Sequence, residues 1–482
     1  MSVSSTPTLL SIPTLRTEFP GRVIGPEDPT YDEARAVMYG GFDKRPAVII
    51  RVADANEVAR VLMIARETGL ELAVRSGGHS NAGHSTTDGG IVLDLSQMKA
   101  IELDVNDRTV WAQPGLTALE LTRETSRQGL GIGFGDTGSV GIGGITLGGG
   151  IGYLVRKLGL TIDSLLAAEI VTAGGELLYL DQETNPDLFW AIRGGGGNFG
   201  VVTNFKYRLH EIGTVVGGML LLPATPDSVA GFMAASDAAR DELSAVANVM
   251  PAPPMPGVPE ERIGEMAIMA FMCWAGDPEA ADETLAPFRA LGTPIVDGLR
   301  LIPLPEIYPP EDPDYHPNAV ARNMFVDTVD RGVASTILGY LESSDATLRV
   351  AQLRALGGAV ARVPADATAY AHRSSRIMVN VAAFYDGTEE DKVRRQDWVE
   401  QFARALRQDD EGAYVNFLAD EGPERVRAAY PGKTWDRLVE IKTRYDPANL
   451  FRLNQNIPPE GDDDAVREES VQPDGLDPLS EK

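Results

Sequence analysis

The stretch RSGGHSNAGHS, residues 75–85, holds two of the chain's five histidines, His79 and His84, among glycines and small polar residues. Glycine pairs let backbone N–H groups come close to a ligand, because no Cβ stands in the way. An imidazole set in such a loop is a catalyst, a metal ligand, a covalent tether or a bystander. Two more glycine clusters accompany it: GDTGSVGIGGITLGGGIGYL at 135–154 and RGGGGNFGVVT at 193–203. So much glycine costs backbone entropy. Unlike a Gly/Ser linker, these loops are interleaved with Ile, Leu, Val and Phe that demand burial. They read as backbone that bends sharply or touches a bound molecule, in preference to purely structural turns.

Familiar ligand motifs narrow the chemistry. Gly133, Gly135 and Gly138 satisfy G-x-G-x-x-G, but no convincing strand precedes them and more glycine follows, which disfavours a Rossmann fingerprint. The P-loop pattern and the G-x-S-x-G elbow are absent. So are HExxH and paired Cys/His spacings; His210, His316 and His372 stand alone, leaving little support for metal catalysis. What remains is a diphosphate-bearing cofactor held by several separate backbone loops.

The elements that position these loops alternate in the first half of the chain. RPAVIIRVA predicts a strand, DANEVARVLMIARETG a helix capped by Asp54, and LELAVRSGG a strand running into the first loop. GGIVLDLSQM and AIELDVNDRTVWAQPG read as strands, the second a hairpin about VNDR. An amphipathic helix follows in LTALELTRETSRQGLG. LLAAEIVTAGGELLYLD predicts a hairpin turning at Ala173, Gly174 and Gly175, and NFGVVTNFKYRLHEIG a closing strand. From residue 213 proline-rich connections, PAPPMPGVPEE and LIPLPEIYPPEDPDYHPNA, separate longer β and helical segments. The final ordered stretch, from Tyr414 to Ile457, reads as a strand, helices and a turn.

Composition sets the outer bounds. The 482 residues are 43% hydrophobic, enough for a large core in two or three domains. A net charge of −27 argues against nucleic acid and anionic membrane surfaces as partners. No apolar run is long enough to span a bilayer and no secretory start is evident. The single cysteine, Cys273, excludes an internal disulfide and points to a reducing, cytoplasmic address. The segment from Glu460 onwards carries nine acids against two bases and reads as a disordered, solvated tail.

VRSGGHS, DGGIVLDLS, GGITLGGGIGYL, DLFWAIRGGGGNFGVVT and YDPANLFRLNQNI, in this order, resemble the motif series of the berberine-bridge-enzyme-like flavoproteins. These belong to the vanillyl-alcohol-oxidase/p-cresol-methylhydroxylase superfamily. The resemblance covers residues from about 45 to 210 and 412 to 457. It implies an α+β fold: a two-part FAD-binding domain of the p-cresol-methylhydroxylase type, with an inserted α+β substrate domain carrying an antiparallel sheet. The expected division is 1–210 and 413–458 for the FAD part, 211–412 for the substrate part, and 459–482 for the tail.

By the same resemblance His79 bonds covalently to the flavin 8α-methyl carbon, and the N–H groups of Ser76, Gly77 and Gly78 cradle the diphosphate, with Arg75 and Ser80 beside them. Gly138, Ser139, Gly141, Gly143 and Gly144 contact the diphosphate and ribityl chain, and Val201 flanks the adenine. Thr137 stands where many relatives carry a second, cysteinyl tether, so a single attachment is expected. Asn454 and Asn456 hydrogen-bond the ring or ribityl chain, or else cap a turn. His84 is a bystander or substrate contact. His372 is a pocket candidate or a satisfied buried histidine. Several relatives place a tyrosine base in Y-x-N-Y; here the segment reads Tyr414, Val415, Asn416, Phe417, so the second tyrosine is lost. In a strand Tyr414 and Asn416 would share one face, and Tyr414 is a base or a structural tyrosine.

The reaction so implied is oxidation of an alcohol or amine carbon of a small molecule by hydride transfer to flavin N5, with O₂ or another electron acceptor, in a monomer or homodimer. A flavin carrier without turnover and a sugar-binding module without cofactor are the rival classes.

Overall fold

The structure is a computed structural model that describes residues 10–312 and 314–461. The expected tail therefore lies almost wholly outside the described residues. The first layer is a four-stranded sheet in which Val48–Arg51 and Leu72–Arg75 flank Ile91–Asp94 in parallel, with Val23–Ile24 antiparallel at the edge. Parallel neighbours need a crossover. The helix Ala55–Thr68 supplies it, capped by the Asp54 carboxylate on the N–H groups of Asn56 and Glu57 and ended by left-handed Gly69. Its inner stripe of Val58, Val61, Leu62 and Ala65 packs on the sheet.

The second layer is a five-stranded antiparallel sheet, ordered Ile101–Asp104, Thr109–Ala112, Val201–Arg208, Leu165–Val171, Leu177–Leu180. Both expected hairpins are there. Its core takes in Ala413, Val415, Leu418, Tyr430, Leu438 and Ile457. The last part of the chain thus returns to the first. Lys442 is fully buried and bonds to the Asp446 carboxylate at 2.7 Å and the Asn198 carbonyl at 2.9 Å, joining the helix Lys433–Tyr445 to the third glycine cluster.

The third layer is an eight-stranded antiparallel sheet built between Thr214 and Phe384. Strand periodicity splits its faces. Ala351, Leu353, Val379, Val381, Ala245 and Ala247 point into a core shared with the helices Pro226–Ala238, Arg331–Ser343 and Glu389–Leu406. The opposite face carries a polar row. Asn248, Gln352, Asn380 and Asn323 occupy matched register positions on four neighbouring strands. Polar groups cost free energy on a buried sheet face unless they find partners, so this row marks where the sheet meets the site.

Candidate active site

The glycine loops converge because only bare backbone allows it. A Cβ on Gly77 would stand 2.2 Å from the Gly141 nitrogen, so the loops 75–80 and 138–144 touch main chain to main chain. Gly78, at φ +73°, turns the first loop in the left-handed region. The third cluster meets the C-terminal turn, where a Cβ on Gly197 would reach within 2.8 Å of Asn454. Together they wall a cavity of about 420 Å³, closed from the far side by Gln352, Arg354 and Asn380 of the large sheet.

Of the residues expected around a cofactor, Ser76, Gly77, Gly78, His79, Ser80, Thr137, Gly141, Gly143, Gly144, Val201 and Asn454 line this cavity, as do His84 and Tyr414. Gly144 is instructive: a Cβ built there meets no atom within 4 Å. Neither fold nor neighbours account for that glycine, whereas a molecule lying against its backbone does. The donor set suits an FAD: bare N–H loops for a diphosphate, and a ring nitrogen free for the flavin edge.

The other expected residues lie off the cavity wall or hold structural places, and for His372 this is the satisfied, buried reading. Arg75 turns away, buried against the Asp94 carboxylate at 2.8 Å, because parallel pairing sets these residues side by side. Burial alone would raise the Asp94 carboxyl; the Arg75 charge leaves it below its usual value. The N–H groups of Gly138 and Ser139 are engaged by the Glu311 carboxylate at 2.8 and 3.2 Å, and neither residue lines the cavity. Asn456 is also off the wall, its place taken by Gln455. His372 lies behind the site, Nε2 3.1 Å from the Ala429 carbonyl and its ring against Phe325.

For Tyr414 the strand reading of its segment is what changes. Val415–Phe417 is a single 3₁₀ turn, not a strand, with Tyr414 at its cap. Its buried phenol oxygen accepts from Gly150 N–H (2.9 Å), Ile151 N–H (3.3 Å) and Asn416 Nδ2 (2.9 Å). Burial raises the phenol above its ordinary value despite these donors. A neutral phenol has two lone pairs, and three donors already claim them. Tyr414 therefore anchors the glycine loop.

Other groups emerge that periodicity did not single out. Asp136 is the one carboxylate among the described lining residues. It bonds to buried Arg354 at 2.5 Å, and Arg354 also donates to Gln352 Oε1. The guanidinium stands 5.1 Å over the Phe417 ring. Arg354 Nη1 and Asn380 Oδ1 are buried without hydrogen-bond partners, and orphaned polar atoms on a cavity wall call for a ligand to satisfy them. The alternation of polar residues in AQLRA was the legible trace of this wall. His79 is held neutral, its pKa lowered by burial against the opposing charges of Glu311 and Asp136; its Nε2 lies 3.1 Å from Ser139 Oγ. Burial brings His84 down to about 4.

A family model described as an FAD binding domain matches residues 46–181, and one described as berberine and berberine-like matches 413–458. An FAD-linked oxidoreductase of Dictyostelium discoideum is 32% identical over 426 residues, covering 86% of this chain and 89% of that protein. The chain belongs to the berberine-bridge-enzyme-like FAD-linked oxidoreductases. The (R)-6-hydroxynicotine oxidase of Paenarthrobacter nicotinovorans is 30% identical over 467 residues, covering 92% of this flavoenzyme and 97% of its own length. The crystal structure of 6-hydroxy-D-nicotine oxidase from Arthrobacter nicotinovorans superposes with a TM-score of 0.80 at 28% identity, over 92% of this chain and 98% of that one. Xylooligosaccharide oxidase from Myceliophthora thermophila shares the fold, with a TM-score of 0.81 at 21% identity over 93% and 99% of the two chains. The flavoenzyme thus has the p-cresol-methylhydroxylase-type architecture expected, and FAD is its cofactor.

Proposed function

We propose that this flavoenzyme is an oxidase whose FAD is tethered covalently to His79 alone, and which oxidises an alcohol or amine carbon of a small polar molecule with dioxygen as electron acceptor. The observation carrying this reading is one cavity that unites a neutral imidazole and bare N–H loops on one side with an orphaned polar sheet face on the other. Relatives named as oxidases of 6-hydroxynicotine and of xylooligosaccharides support the oxidase assignment.

When bound, the flavin supplies hydride acceptance at N5. The chain supplies the rest. The loops 76–80 and 141–144 offer N–H groups to the diphosphate. Neutral His79 keeps a lone pair for the 8α carbon. Asp136 accepts the proton from the substrate O–H or N–H as hydride departs, its carboxylate held on the wall by Arg354. An amine entering as the free base needs no such acceptor. Gln352, Arg354 and Asn380 take the substrate's polar groups.

Acid precipitation and intact-mass measurement test the tether. The protein pellet stays yellow and the mass exceeds that of the chain by one FAD less two hydrogens; His79→Ala releases the flavin to acid, whereas His84→Ala does not. An unmodified wild-type mass refutes the attachment. Anaerobic mixing with a panel of alcohols, sugars and amines should bleach the flavin, and readmitted air should yield one peroxide per turnover. Bleaching without peroxide would make the protein a dehydrogenase; no bleaching by any of them would leave it a carrier.

A further inference from the structure

The Ser139 contacts lie outside the cavity wall, yet they bear on the ring that would carry the flavin. His79 Nε2 sits 3.1 Å from Ser139 Oγ, and the Ser139 backbone also bears on the ring, favouring its proton on that side. Ser139 is itself held: its N–H, with that of Gly138, grips the Glu311 carboxylate, which arrives from the connection between the short turn Leu304–Ile307 and the strand Ala319–Val326. The inserted part of the chain thereby fixes a loop of the FAD part directly beside the tethering histidine.

We infer that Ser139, held by Glu311, is a positioning residue for flavin attachment: its hydroxyl accepts the Nε2–H of His79 and leaves Nδ1 as the attacking nitrogen. This rests on the covalent reading above. Two physical arguments support it. A neutral imidazole has one N–H and one lone pair, so pinning the proton at one nitrogen delivers the lone pair at the other. Attack through Nδ1 also places positive charge on the ring. Glu311 and Asp136 are the two acids whose fields oppose the loss of charge that burial imposes on His79, and they stabilise that charge as it forms. The bookkeeping closes with dioxygen as oxidant. A C–N bond forms while one methyl C–H bond and the imidazole N–H bond break. Those two hydrogens and two electrons leave as hydrogen peroxide.

The test uses the full chain and its Ser139→Ala, Ser139→Thr and Glu311→Gln variants, each incubated with added FAD. Total bound flavin is compared with acid-stable flavin and intact mass over time. Ser139→Ala is expected to bind FAD yet gain the covalent mass about tenfold more slowly, the value of one ordinary hydrogen bond. Ser139→Thr, which keeps the hydroxyl, restores the rate, an outcome that simple loop damage would not give. Glu311→Gln keeps an acceptor for the same N–H groups but removes the charge, and slows attachment even if Ser139→Ala holds no FAD. Wild-type rates in Ser139→Ala or in Glu311→Gln overturn the inference while leaving the tether intact. Failure of wild-type protein to gain any flavin mass overturns both.

Discussion

Asp136 and Tyr414 share one cavity wall but separate cleanly by what their oxygens already hold. Asp136→Asn removes the sole carboxylate described there and should slow anaerobic flavin reduction by alcohols roughly 10²-fold or more, the range for losing a positioned base. A free-base amine would be oxidised with little change, and stopped-flow bleaching with both substrate types distinguishes the cases. Tyr414→Phe strips three N–H donors of their acceptor. Its cost belongs to stability, about 1–3 kcal/mol in denaturant unfolding, with reduction in the loaded enzyme changed far less than in Asp136→Asn.

Among the elements, the glycine loops supply a matched pair of substitutions. Gly77→Ala drives a methyl into the Gly141 backbone, so loops 75–80 and 138–144 must part. Overpacking of that kind costs about 1–3 kcal/mol and should lower the melting temperature with or without flavin. Gly144→Ala meets nothing in the protein itself. The flavin-free protein should melt as wild type does, while FAD binding weakens in a fluorescence titration. Equal behaviour of the two variants would refute the cradle. These loops were legible from glycine density and motif order, as were the Asp54-capped helix and both hairpins, because each is a local pattern. Partners distant in sequence were not. Arg75 faces Asp94 only through strand pairing, and Arg354 reaches Asp136 across 218 positions. Tyr414 looked like a strand residue because an apolar–polar alternation of four residues cannot be told from a 3₁₀ turn.

Across the whole molecule, two groups of buried ionisable side chains make predictions. Lys442→Met leaves Asp446 uncompensated in a fully buried site that ties the C-terminal helix to Asn198. Breaking such a pair from one side costs about 3–5 kcal/mol, measurable by urea unfolding. His79, His84, His210 and His372 are all held below the usual 6.5, chiefly by burial. Between 6.5 and the lower folded values the unfolded chain binds more protons than the folded one, so stability rises with pH there and is lost as pH falls. Melting temperature should therefore decline from pH 6.5 towards 4, the folded value of His84, and His84→Gln should make the decline shallower. The antiparallel sheet in the middle of the chain was expected from motif order and proline placement. The polar row on the large sheet did not, since it exists only once four strands are in register.

The cavity draws its wall from Tyr39 and the loop at 76–81 at one extreme and from Asn416, Leu453 and Gln455 at the other. During synthesis the early loops leave the ribosome hundreds of residues ahead of the late ones, and until Gln455 emerges no complete pocket can exist. Cofactor capture is thus deferred until after translation of the last wall residues. A nascent polypeptide stalled short of them would present its glycine loops to solvent and remain colourless.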